Sequence, residues 1–436
     1  MKIRMLLLLF FSSGIFAQQS LTLADAWAIA RQNNLALQQQ QVQQSQVAAE
    51  VRIQQSDYLP KLSVSAGAQY VSEIAKIDVP FLPNPIEAGV KERYDLSANL
   101  QQPIFTGFRT SNLVKAAKNQ QAAAELQENT VEQQLFLQIG VLFQQIQLNL
   151  RQQTALRDGI ARANDQLQLS KNRFAAAQVA AFDTLEAANR KLQLESQLSQ
   201  LQNLNGILQT RMQLLLNSKS PVSVAEMPAE TVDLQVPDVA ATRQSAIENR
   251  TEFAQLRELQ SAQAHRTGAI KSQFFPQIYG EAAYHYANPG VNFFKSEWMD
   301  YYTLGVGLQW QLFNGGKTRH QVQQSKLEIR KLTLQEQQLM LQVNQQIDEA
   351  LAQLDNARTQ IRFQRQLVAQ EQERYRIATT AYEQGLATTL DVRNAETALT
   401  QAELLLQQRL IEWEQYRLQL DFATGVLGKD GRIKDN

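Results

Sequence analysis

Tyr302-Thr303-Leu304-Gly305-Val306-Gly307-Leu308-Gln309-Trp310-Gln311-Leu312-Phe313-Asn314-Gly315-Gly316-Lys317 is the stretch where the chain changes its period. Up to Gln311, bulky apolar residues alternate with Gly, Thr and Gln. That two-residue repeat gives a strand two unlike faces. Beyond Lys317 neither Gly nor Pro occurs until Gly385. The tract 317–382 is therefore expected to be one helix of about 66 residues, roughly 100 Å long. Between strand and helix, the glycines supply the dihedrals that a sharp corner needs.

The same alternation occurs three more times. Leu62, Val64, Ala66, Ala68 and Tyr70 alternate with Ser63, Ser65, Gly67 and Gln69. Tyr94, Leu96, Ala98 and Leu100 alternate with Asp95, Ser97, Asn99 and Gln101. Ile278, Gly280, Ala282, Tyr284 and Tyr286 alternate with Tyr279, Glu281, Ala283 and His285. Strands are thus expected at about 61–71, 94–104, 277–287 and 301–312. About ten alternating residues suit a transmembrane β-strand, with lipid on one face and water on the other. A soluble half-buried hairpin would alternate too. The loops that join each strand pair hold Phe81, Phe293, Phe294 and Trp298, candidates for simple packing within the loops or for folding inward as a plug.

Working outward, the chain proves to be written twice. Asn33-Asn34 aligns with Asn249-Arg250, and Tyr58-Leu59-Pro60-Lys61-Leu62 with Phe274-Phe275-Pro276-Gln277-Ile278. After a shift inside one loop, Phe105-Thr106-Gly107 aligns with Phe313-Asn314-Gly315, Phe174 with Tyr382, Asp183 with Asp391 and Asn217 with Gly425. Copy one is expected over 18–217, with helices at 25–57, 109–174 and 183–217. A Pro-containing crossover over 218–240, with room for a short strand, leads to copy two over 241–428. Its helices are expected at 241–272, 317–382 and 390–423, and a flexible tail follows at 429–436. Leu354, Ile361, Val368, Tyr375 and Tyr382 recur every seven residues, as do Ile160, Leu167 and Phe174. Such spacing makes narrow coiled-coil seams.

Lys2 and Arg4, the apolar run 5–11 and the small residues before Ala17 have the order of a secretory signal peptide, so 1–17 is set aside from the fold. The chain contains no cysteine, hence no disulfide and no lipid anchor through an N-terminal Cys. Lys plus Arg equals Asp plus Glu at 42 each, which argues against nucleic acid as a partner. His265, His285 and His320 are scattered, with no metal-ligand spacing and no catalytic motif, so neither an enzyme nor a metal site is expected. Four strands cannot close a membrane barrel alone, and open edges in lipid would leave backbone groups unpaired. The chain is therefore expected to oligomerise. The rival reading is a secreted structural or adhesive coiled coil that conducts nothing.

The duplicated helix–strand–strand–helix plan, the joints Ile104-Phe105-Thr106-Gly107 and Leu312-Phe313-Asn314-Gly315, and the turn Tyr382 to Asp391 with its Gly385-Leu386-Ala387-Thr388 resemble the TolC family of outer membrane efflux proteins. The resemblance spans nearly the whole mature chain. It implies a mainly α fold with transmembrane β-structure, set in the outer membrane of a Gram-negative bacterium and reaching into the periplasm. It further implies a homotrimer, whose 12-stranded barrel, four strands per copy, continues into a helical coiled-coil barrel. The implied partners are a periplasmic adaptor and an inner-membrane RND, ABC or MFS transporter, with no cofactor; the cargo stays open.

Residue by residue, Phe105, Gly107, Phe313 and Gly315 fall at the strand–helix joints. Gly385, Leu386, Ala387 and Thr388 fall at the family's adaptor-contact turn. Asp391 and Asn394 fall where the family narrows its tunnel mouth with two acidic side chains, so one carboxylate ring is expected here rather than two. Tyr382 and Asp183 fall where the family ties neighbouring helices shut, although Ala387 stands where some members carry a basic partner. Copy one departs from the pattern, with 177–182 in place of the Gly-Leu turn. A plainer reading remains open for the same residues: Gly385 as a C-cap, Thr388 or Thr389 as an N-cap, and Asp391 as the complement of a helix N-terminus.

Overall fold

The computed structural model describes residues 21–78, 80, 81, 83, 85–219, 221–224, 226 and 234–428. The signal peptide expected over 1–17 and the tail 429–436 lie outside the described residues. In chain order the elements are α1 (Leu23–Asn33), α2 (Leu35–Ser56), β1 (Lys61–Tyr70), β2 (Ala75–Ile77), β3 (Ile86–Ala88), β4 (Glu92–Phe105), α3 (Arg109–Ala175) and α4 (Ala181–Leu215). They continue with α5 (Val239–Asn249), α6 (Thr251–Lys271), a 3-10 turn at Ser272–Phe274, β5 (Gln277–Asn288), β6 (Met299–Gln309), α7 (Lys317–Glu383) and α8 (Thr389–Ala423). The described residues of the crossover 218–240 carry no strand.

Two compact units divide the chain. One is built from 1–39, 129–250 and 340–436. Its core gathers Trp27, Phe136, Ile139, Phe143, Ile146, Met212 and Leu216. Trp27 stacks on Phe136 at 5.2 Å and donates its indole N–H to the Phe136 carbonyl at 3.0 Å, so the ring is buried without stranding its polar atom. Of the copy-two seam, Leu354, Ile361 and Tyr382 are buried, whereas Phe174, which ends the copy-one seam, is exposed.

The expected helix 25–57 is interrupted at Asn34, whose backbone turns extended. Its side chain compensates the break by donating to the Leu215 carbonyl at 2.8 Å and accepting from the Ala36 amide at 2.8 Å. The expected helix 241–272 breaks at the matched residue, Arg250, which is also extended. Its guanidinium binds Gln346 Oε1 at 3.0 Å and the Ala423 carbonyl at 3.3 Å. A polar side chain that reaches a neighbouring helix end takes the place of the local helical bond.

The second unit comprises 40–128 and 251–339. Its sheet is antiparallel in the order β1-β4-β5-β6, so the two copies meet at β4–β5 and the edges are β1 and β6. β4 pairs with β5 from Tyr94↔Asn288 through Leu96↔Tyr286 to Phe105↔Ile278, with a bulge between Pro103 and Phe105. β6 ends at Gln309, short of the expected 312, and Trp310 instead donates its indole N–H to the Phe274 carbonyl at 3.1 Å. A small β2–β3 hairpin decorates the first loop. One sheet face is apolar and bare, with Leu62, Val64, Leu304 and Val306 each at least 70 % exposed. Trp298 does not fold inward as a plug: it stacks at 4.8 Å on Tyr286 and 6.1 Å on Tyr94, both in that apolar row. Phe293 and Phe294 pack on each other, and Phe81 is exposed. No helix among the described residues is long and apolar enough to cross a membrane.

Candidate functional site

The first unit carries two interhelical turns, α3–α4 and α7–α8. After Glu383 the helix closes through Gly385 N–H to the Tyr382 carbonyl at 2.9 Å and Leu386 N–H to the Ala381 carbonyl at 2.8 Å. This is a Schellman cap, and it requires the positive φ of 77° that Gly385 supplies. The α3 end repeats it without glycine. Ala177, at φ 56°, donates to the Phe174 carbonyl at 2.9 Å, and Gln178 to that of Arg173 at 2.8 Å. The Gly-Leu pattern is missing from copy one, yet the turn it encodes is present, at the cost of a left-handed alanine.

The following helices start differently. Thr388 and Asp391 form a reciprocal box: the Thr388 amide and hydroxyl donate to Asp391 Oδ2 at 2.9 and 2.6 Å, and the Asp391 amide donates to Thr388 Oγ1 at 3.2 Å. The Thr388 hydroxyl first, and its amide second, hold the Asp391 carboxyl below the usual carboxylate range. No hydrogen bond from the described residues reaches Oδ1, and Asp391 and Asn394 are both exposed on the same stretch of α8. In copy one, Ala180 stands in place of Thr388 and offers no side-chain acceptor, so only half the box remains: the Ala180 amide to Asp183 Oδ2 at 3.2 Å.

Tyr382 is buried, its hydroxyl 3.3 Å from Thr389 Oγ1 and 3.4 Å from Ser170 Oγ. The Arg173 guanidinium lies over its ring at 4.7 Å and donates to its carbonyl. Tyr382 and Asp183 share no hydrogen bond: Asp183 binds the Ala180 amide of its own turn, whereas Tyr382 reaches Ser170 and Arg173 on α3 as well as Thr389 of its own turn. Leu386 stands out at 80 % exposed, beside the half-buried Ala387.

Sequence reasoning missed a charge cluster beneath these turns. Arg190 on α4 donates to Glu396 on α8 at 2.6 Å, with side chains 12 % and 4 % exposed. Arg393 on α8 donates to Glu186 on α4. From α3, Arg162 binds Glu403 at 2.7 Å and Thr400 Oγ1 at 2.8 Å, and lies 4.0 Å from Glu396. Ala163, Gln166, Ala187, Arg190, Tyr375 and Glu396 help line a small cavity here, and burial pushes the Tyr375 phenol up. A signal was available: α4 reads Glu186 then Arg190, while α8 reads Arg393 then Glu396, so matched faces carry the opposite order of charge.

The joints in the second unit are unlike each other. At Gly107, φ is 60° and an added Cβ would sit 2.7 Å from the Ser272 carbonyl oxygen. Phe105, Phe108 and Phe275 close around it edge to face, at 5.4 and 6.2 Å. Gly315 also has a positive φ, 66°, but has nothing within 4 Å, and Phe313 beside it is exposed. No group of three metal-ligating side chains occurs among the described residues.

The sequence pattern of the family described as outer membrane efflux protein matches residues 28–218 and 242–426. The chain therefore belongs to the outer membrane efflux protein family, whose place is the outer membrane and the adjoining periplasm. Its fold is similar to that of VceC from Vibrio cholerae, at 18 % identity and a TM-score of 0.74, covering 92 % of this chain and 96 % of that one. It is also similar to CusC, a protein whose transmembrane channel formation has been described, at 15 % identity and a TM-score of 0.78 over 92 % of each chain. The Campylobacter jejuni CmeC outer membrane channel gives 15 % identity and a TM-score of 0.72, covering 93 % of this chain and 85 % of that one. Among curated protein sequences none matches.

Proposed function

We propose that three copies of this chain form an outer-membrane channel that passes solutes to the exterior from a periplasmic adaptor and an inner-membrane RND, ABC or MFS transporter. The single observation that carries the reading is the sheet: four strands with one bare apolar face and two open edges, β1 and β6. Unpaired backbone in lipid costs several kcal/mol per group, so such a sheet is stable in a bilayer only when other copies complete the ring. Leu327, Leu334 and Leu341 add support, because they leave a seven-residue seam exposed on α7.

In this reading the 385–388 turn, with its protruding Leu386, is the docking face for the adaptor. Asp391 and Asn394 line the periplasmic mouth, where Asp391 caps α8 through Oδ2 and offers Oδ1 to the lumen. Tyr382 and Asp183 belong to the latch, alongside the α4–α8 ion pairs. Mass measurement in detergent, joined to planar-bilayer recording, tests the proposal. A trimer that conducts ions is expected. A folded, detergent-free monomer without conductance would refute it and favour a secreted coiled-coil scaffold.

A further inference from the structure

The polar face of the sheet holds a cluster that neither the fold nor the family reading uses. His285 on β5 donates from Nδ1 to Asp95 Oδ2 on β4 at 2.9 Å, and its ring stacks on Tyr301 of β6 at 4.9 Å with an interplanar angle of 12°. The pairing register explains the meeting. His285 stands opposite Ser97 on one side and Tyr301 on the other, with Asp95 one same-face step along β4. All four residues are out of phase with the apolar row of Leu96, Tyr284, Tyr286 and Tyr302, so they share the opposite face. That face is otherwise a hydrogen-bonded polar lining. Ser65 and Ser97 hydroxyls meet at 2.9 Å, Asn99 reaches both at 3.3 Å, and Gln101 donates to Glu281 at 3.2 Å.

Charge on this lining is balanced to within one proton. The strand residues of the polar phase include Lys61 and Arg93 as cations, and Asp95 and Glu281 as anions. Lys61 is already engaged with Asp57 at 3.2 Å. Around His285 the polar phase holds Asp95 one same-face step and Arg93 two steps along β4, Tyr301 directly opposite on β6, and Glu281 two steps along β5 itself. With a neutral imidazole the four charges cancel, and with an imidazolium each copy's lining carries a net positive charge. The His285 side chain is 21 % exposed and that of Asp95 43 %, so the pair is open to protons from water. Imidazole is the side chain that changes charge between about pH 5 and 8.

We infer that His285, held by Asp95 and Tyr301, makes the strand-built part of the pore proton-responsive, shifting its ion preference toward anions as the medium turns mildly acidic. The inference rests on the barrel reading above. It is tested by reversal-potential measurements on the full channel in planar bilayers under a KCl gradient between pH 8 and pH 5. Wild type should lose cation preference as pH falls. His285→Gln should hold its pH 8 preference throughout, and His285→Lys should show the acidic wild-type preference already at pH 8. Asp391→Asn, at the α7–α8 turn, should alter the baseline and leave the transition in place.

A His285→Gln channel that keeps the wild-type transition would overturn the inference while leaving the channel reading intact. So would a conducting wild type without any transition. A folded protein that passes no current at any pH would overturn the channel reading, and the inference with it.

Discussion

Replacing Glu396 by Gln should loosen the α4–α8 contact far more than its single lost charge suggests. The residue is 3 % exposed and accepts from Arg190 Nε at 2.6 Å and Thr400 Oγ1 at 2.5 Å. Arg162 would retain Glu403 at 2.7 Å. Arg190 would retain no carboxylate, with its side chain only 12 % exposed. Breaking one side of a buried ion pair costs about 3–5 kcal/mol, against roughly 0–1 kcal/mol for exposed pairs. The partial exposure of Arg190 places the expected loss near the lower limit, about 3 kcal/mol, or ~100-fold in a local opening constant. Hydrogen–deuterium exchange of detergent-solubilised protein reads this directly as faster exchange along the first turns of α4 and α8. Arg190→Leu combined with Glu396→Leu should recover most of the protection, because an apolar pair of similar size needs no desolvated charge. Arg358→Gln, which breaks the exposed Arg358–Asp355 pair, should leave exchange unchanged. If Glu396→Gln changes exchange by less than about threefold, the buried pair is not what fastens these helices.

Two further outcomes follow from backbone geometry. Ala177→Gly should stabilise the α3–α4 turn by about 1 kcal/mol and Gly385→Ala should weaken the α7–α8 turn by a similar amount, since both positions hold a left-handed φ; exchange of the adjacent amides measures both. Gly107→Ala should lower the thermal unfolding midpoint of the second unit well beyond Gly315→Ala. The former adds a contact 2.7 Å from the Ser272 carbonyl oxygen to the same dihedral strain, whereas the latter finds open space. Equal effects would show that the dihedral alone governs the joints.

The architecture was legible because its signals are periodic. Two-residue alternation marks the four strands of the main sheet, a tract without Gly or Pro marks one 67-residue helix, and a tract without Pro, interrupted only by Gly140 and Gly159, marks the other. Breaks at Asn34 and Arg250 escaped because neither residue is a helix breaker by itself; each works through a side chain that reaches a distant helix end. The copy-one turn looked altered because glycine signals a left-handed residue, yet the geometry persists at Ala177 under the same pair of backbone bonds. The Arg190–Glu396 and Arg393–Glu186 pairs cross more than 200 positions, so the opposite charge order on α4 and α8 becomes a signal only once the two helices are set side by side. The place of Trp298 stayed open between loop packing and a plug because an aromatic in a loop has no phase; only its stacking on Tyr286 and Tyr94 assigns it a face.

The β4–β5 seam has one more implication, since it is where copy one abuts copy two. Across it the second strand of one hairpin meets the first strand of the next, with Leu96 beside Tyr286, Ala98 beside Tyr284 and Leu100 beside Ala282. A ring of such chains contains the same kind of junction once more per subunit, where β6 meets β1 of the following subunit. The internal alignment then acts as a ruler: it sets Leu304 beside Tyr70, Val306 beside Ala68 and Leu308 beside Ala66 of that subunit. It would also give the run 310–313, which follows β6, a neighbour in 62–64, as residues 102–105 have in 278–280. In the trimer proposed above, the β4–β5 seam would serve as the template for closure, and the threefold assembly would be sixfold in its strand grammar.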